Sequence, residues 1–197
     1  MNERMLALTA GVALLERAID YTLGSLRVVS PSALCRATPC ARWRLQDLLD
    51  HMHDSFEALN EAALGGIGVG VSPRPLAMAG PVGRNPALLL RDGATEVLGT
   101  WAGTITSDPI SVGDRPMTTP MVAAVGAIEI AVHGWDIARA CGERRPIPRL
   151  MAEELLDLAR LFVTDEDRPF RFAAPVRVPA HAPTHDHLLA YLGRDPD

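Results

Sequence analysis

The chain has 197 residues, 48% hydrophobic and 22% charged, with a formal net charge of −5. That is enough for one domain with a real core, and no basic run offsets the acidic balance, which excludes nucleic acid as the main partner. All nineteen cationic side chains are arginine, which excludes Schiff-base chemistry, a phosphate-loop lysine and a lysine general base together.

The N-terminal stretch "MNERMLALTAGVALLERAID" mixes Glu3, Arg4, Glu16 and Arg17 with a short apolar run. It predicts an amphipathic helix over residues 2–26 and not a signal peptide. A polar turn at Ser30, Pro31 and Ser32 and a loop, "RATPCARW", follow. A second helix is predicted over 45–64. Residues 65–84 are too rich in glycine and proline for regular structure and are expected to form a long connection. Asn85 and Pro86 form an N-cap and first-position pair for a third helix reaching Trp101. "TSDPISVGDRPMTTP" reads as a second loop. The fourth helix is expected over 119–141, stopped by Gly142 at C′, and the fifth over 149–162. From Asp165 the chain is proline-punctuated, with a weak strand signal at 174–178 and a short helix at 186–192 behind a Thr184 N-cap. These elements predict an all-α fold, an antiparallel four-helix bundle with an extra C-terminal helix. One domain over 1–197 is expected, with 165–197 as a tail packed on the bundle.

The fourth helix carries the chemistry. Between Met121 and Ala138 the only titratable side chains are Glu129, His133 and Asp136. At about 100° per residue, His133 lies about 40° to one side of Glu129 and Asp136 about 20° to the other. An ionised carboxylate on an almost wholly apolar helix costs several kcal/mol unless it is paired or bound to a metal. Glu129 and His133, four apart, can hold one ion from one helix, or can simply hydrogen-bond to each other or to a neighbour. A zinc-type centre needs a third protein ligand. Helix two offers His51 and His53. His53 falls with Gln46, Asp50, Glu57 and Asn60 on the solvated face. His51 falls with Ser55, Ala58 and Ala62, small residues that leave room between helices, and is the chosen ligand. Asp136 is about 10 Å along the axis from Glu129. It is expected to orient an imidazole or a substrate rather than to ligate, or to form an ordinary ion pair with an arginine. His181, His185 and His187 read as polar residues of an exposed tail. Cys35, Cys40 and Cys141 lack disulfide or zinc-finger spacing and read as reduced thiols in a cytoplasmic protein.

Three passages, "RATPCARWRLQDLLDHM", "AIEIAVHGWDIARACG" and "RFAAPVRVPAHAPTHDHLLAYLGRDPD", resemble the DinB/YfiT-like superfamily. The nearer likeness is to its actinobacterial branch, the mycothiol-dependent maleylpyruvate isomerase-like metal-binding proteins. That family's first histidine follows a tryptophan by eight residues, as His51 follows Trp43. The resemblance implies His51, Glu129 and His133 as ligands to zinc, with nickel or another divalent ion second, and mycothiol as co-substrate. The isomerase carries a further C-terminal domain that this chain is expected to lack, so maleylpyruvate is not implied as the substrate. The expected activity is a thiol-dependent transferase or isomerase acting on a small electrophile. A metal-dependent hydrolase or a non-catalytic metal- or ligand-binding module are the alternatives. Neither a membrane nor nucleic acid is an expected partner; a homodimer is compatible with the sequence.

Overall fold

A computed structural model describes residues 3–40, 43–64, 85–103, 109–112, 115–168 and 171–197. Among the described residues six α-helices form: α1 (Glu3–Leu26), α2 (Leu45–Ala63), α3 (Pro86–Ala102), α4 (Thr119–Ala140), α5 (Arg149–Phe162) and α6 (Thr184–Tyr191). Short 3₁₀ turns occur at Pro31–Ala33 and Asp165–Asp167. The expected all-α bundle is therefore the fold.

Local chemistry accounts for the helix ends. The Asn85 side chain accepts the Ala87 N–H at 3.0 Å, capping α3 as the sequence suggests. Asp47 accepts the Arg44 N–H at 2.9 Å at the start of α2. Gly142 takes φ = 85°, the left-handed conformation that lets the chain leave α4.

The core fills the space between helices with Leu15 and Ile19 from α1, Leu49 and Phe56 from α2, Leu90 and Trp101 from α3, and Ile130 and Ile137 from α4. Contacts along the helices fix their directions. Gly11 faces Pro120 and Ala123, and Thr22 bonds to the Ile130 carbonyl at 2.7 Å, so α1 and α4 run the same way. Leu59 meets Gly126 while His51 meets Glu129, so α2 runs against α4. Phe56 meets Gly93 and the Leu59 carbonyl accepts from Trp101 Nε1 at 3.1 Å, which makes α2 and α3 parallel. The bundle is thus two parallel pairs set antiparallel to each other. Parallel neighbours need a long return connection, and the sequence between Leu64 and Asn85 has that length; the connection expected over 65–84 lies outside the described residues.

α4 has the length and hydropathy of a membrane span, yet 83% of its most apolar window is buried among the other helices. It is the core helix of the bundle, as its apolar character on nearly all sides implies.

Three expectations are corrected. The second loop contains a two-stranded antiparallel hairpin, β1 (Pro109–Val112) and β2 (Arg115–Thr118), with Pro109 opposite Thr118 and Val112 opposite Arg115. Among the described residues, 174–178 forms no strand; it is irregular, with Val176 N–H bonded to the Ala190 carbonyl at 2.9 Å. α6 begins at Thr184, so Thr184 is the first helical residue and Pro183 precedes it. Nor is the tail only a surface cover. Leu188, Leu189 and Leu192 are completely buried, α6 packs on α5, and the Tyr191 hydroxyl donates to the Val163 carbonyl at 2.8 Å.

Candidate metal centre

Because α2 and α4 are antiparallel neighbours, His51 comes to lie opposite Glu129 and His133. His51 Nε2 is 2.9 Å from Glu129 Oε1, and one ligand-type atom from each of the three residues lies within 4.8 Å of the others. Among the described residues this is the one His/Cys/Asp/Glu group so assembled. The His51 and His133 rings meet edge to face with centroids 5.3 Å apart. The His51 and Glu129 side chains are each about one-third exposed, while His133 is buried. The group is partly open to solvent, not sealed in the core.

Glu129 and His133 are each held from behind. The Ser55 hydroxyl donates to Glu129 Oε1 at 2.6 Å. Burial pushes the Glu129 carboxyl up, but the hydrogen bond from His51, the charges of His133 and His51 and the Ser55 hydroxyl outweigh it. They hold Glu129 at about 2, below its ordinary 4.5. Asp136 Oδ2 lies 2.9 Å from His133 Nδ1 and 3.2 Å from Arg194 Nη2. A carboxylate only accepts, so Nδ1 carries the proton and the His133 Nε2 lone pair is left for another partner. Asp136 is fully buried. Burial pushes its carboxyl up, yet the Arg194 charge and the His133 hydrogen bond keep it below the usual carboxylate range. Arg194, itself buried, also donates to the Leu192 carbonyl at 2.8 Å.

Trp43 closes one side. Its ring centroid is 4.5 Å from that of His51 and 6.0 Å from that of His133. The loop before α2 fixes it: Trp43 N–H donates to the Cys40 carbonyl at 2.9 Å, and the Thr38 hydroxyl and N–H both bond to the Trp43 carbonyl. On the other side a pocket of about 170 Å³ runs from Glu129 along α2 and α4, walled by Ala58, Leu59, Met117, Val122, Val125 and Ile130.

The donor set suits a zinc-type ion: two imidazole nitrogens, one carboxylate oxygen, and a carboxylate behind one imidazole, an arrangement common at metal-bound histidines. The sequence-selected residues His51, Glu129 and His133 come together, and the Asp136 carboxylate contacts both the His133 imidazole and the Arg194 guanidinium. His53 points elsewhere, 3.8 Å from Glu57. His185 pairs with Asp186 at 3.2 Å, and the tail histidines are outside the group. The three cysteines form no disulfide. Sequence reasoning missed Arg194, and it took Ser55 only as a small residue. Arg194 is 58 residues from Asp136, and no local pattern marks it.

The chain is an all-α bundle that brings a His/Glu/His group together across two antiparallel helices. Residues 15–138 match the mycothiol maleylpyruvate isomerase N-terminal domain, and the chain belongs to this family. The match covers His51, Glu129, His133 and Asp136 and ends before Arg194. Two similar proteins, both uncharacterized, come from Mycobacterium tuberculosis strains CDC 1551 / Oshkosh and ATCC 25618 / H37Rv. Each is 27% identical over 183 residues, covering 91% of this chain and 94% of the relative. No solved structure matches the chain.

Proposed function

We propose that His51, Glu129 and His133 hold one divalent ion, zinc in the first place. On this reading the protein is a cytoplasmic thiol-dependent transferase or isomerase, with mycothiol as the small-molecule thiol and an electrophile as second substrate. Residues 1–197 act as one domain, with the C-terminal segment supporting the site. The observation that carries the reading is the convergence of three donor atoms within 4.8 Å, beside a pocket that Glu129 lines. A divalent ion there supplies Lewis acidity, lowering the pKa of a thiol that reaches it so that the thiolate is available near neutral pH.

The chain's own residues do the rest. Asp136 holds the proton on His133 Nδ1 and keeps Nε2 a lone-pair donor toward the cleft. Ser55 fixes Glu129 Oε1. Trp43 covers His51 and keeps bulk water from that flank. The partial exposure of His51 and Glu129 gives small molecules access, which favours a reactive centre over a sealed structural one.

The test is a thiol titration of metal-loaded and metal-stripped protein, with proton release recorded. Saturable binding of mycothiol only to the loaded protein, with release of about one proton per thiol at neutral pH, supports the reading. Equal binding with and without metal contradicts it.

A further inference from the structure

We infer that the pocket beside Glu129 takes an apolar, uncharged group about the size of one six-membered ring, so that the electrophile carries an apolar arm rather than a carboxylate at this position. The identification of the occupant as the electrophile rests on the thiol-dependent reading above; the binding itself does not.

Size comes first. A cavity of roughly 150 Å³ lined by aliphatic side chains stays dry and binds benzene. The pocket here is slightly larger, about 170 Å³, and its wall is built from Leu59, Met117, Val122, Val125 and Ile130. Gly126 contributes no side chain, and a Cβ there would come within 2.7 Å of a Leu59 methyl, so the glycine lets Leu59 pack directly against α4 as part of the apolar wall.

Polarity decides the chemistry. The two polar side chains in the lining are Ser55 and Glu129. The Ser55 hydroxyl already bonds to Glu129 Oε1 at 2.6 Å and to the His51 carbonyl at 3.1 Å. Among the described lining residues none is cationic and none has a donor to spare. A carboxylate placed against these aliphatic walls gives up its water and gains no donor, at a cost of several kcal/mol. An aromatic or branched aliphatic group loses nothing polar and gains about 25 cal/mol for each Å² removed from water.

The experiment compares toluene with benzoate, which differ by a methyl against a carboxylate on the same ring. The full chain, ¹³C-labelled at methyl groups, is titrated with each, both metal-loaded and metal-stripped. Toluene is expected to shift the Leu59, Val122, Val125 and Ile130 methyl signals saturably in both forms, and benzoate to bind at least tenfold more weakly. Val125→Phe, or Ala58→Leu should the first variant fail to fold, fills the pocket and is expected to weaken toluene at least tenfold while metal stoichiometry is retained. Benzoate binding as tightly as toluene, or toluene leaving these signals unmoved in folded protein, overturns the inference. Because the stripped form is measured too, failure here is distinct from failure of the metal or the thiol to bind.

Discussion

Asp136 has no exposure to solvent, and a single oxygen, Oδ2, meets both His133 Nδ1 and Arg194 Nη2. Removing either end of such a buried pair strands the other charge, which costs about 3–5 kcal/mol. Arg194→Met is therefore expected to lower stability by about that much, read from urea unfolding, and Arg194→Lys to recover part of it. Loss of the carboxylate behind a metal-bound histidine typically costs 10–100-fold in affinity. Asp136→Asn is accordingly expected to weaken zinc binding by roughly that factor, measured by competition with a chromophoric chelator; unchanged affinity would remove Asp136 from any role at the centre. The convergence of His51, Glu129 and His133 was legible because carboxylates and imidazoles are conspicuous on apolar helix faces, and face geometry separated His51 from His53. Arg194 was not legible: it meets Asp136 only through the docking of the C-terminal segment, which helix periodicity does not encode.

The helices themselves were readable to within a residue or two, because α2 and α5 each show a clear apolar face and α3 and α4 end on capping or stop signals. The β1–β2 hairpin was missed. Gly113–Asp114 between short strand-like runs is a recognised hairpin signal, which Pro109 and Pro116 within those runs weaken. Helix glycines give a sharper test at this scale. An exposed interior Gly→Ala gains about 1 kcal/mol in helix propensity. At Gly99 nothing lies within 4 Å of a new Cβ, so Gly99→Ala is expected to stabilise by about that amount. At Gly134 a Cβ would fall 2.3 Å from Thr22 Oγ1 and 3.1 Å from the Thr22 Cα, where α1 and α4 pack most closely. Overpacking of about 1–3 kcal/mol there outweighs the propensity gain. Gly134→Ala should therefore lower the thermal midpoint while Gly99→Ala raises it; midpoints moving the same way would contradict the packing described for α1 and α4.

For the whole molecule, the all-α bundle followed from helix lengths and apolar faces, but the relative directions of the helices did not. The parallel pairing of α1 with α4 depends on contacts such as Thr22 with Ile130, between residues 108 apart. The short helix of the tail was expected, but the depth of its burial was not, since Leu188 and Leu189 of α6 and Leu192 just beyond it are fully buried. Each fully buried leucine contributes about 1.5–3 kcal/mol, and a domain's entire margin is about 5–15 kcal/mol. Deleting residues 184–197 should thus abolish cooperative unfolding or shift its midpoint steeply downward, as circular dichroism would record. The central claim is that α2 and α4 together form one metal centre, and metal stoichiometry after dialysis against zinc tests it most directly. The account predicts about one zinc per chain for the unaltered protein and for His53→Ala, with large losses in His51→Ala, Glu129→Ala and His133→Ala, each checked for retained helicity. Full occupancy in all three ligand variants, or a loss in His53→Ala as large as that in His51→Ala, would contradict it.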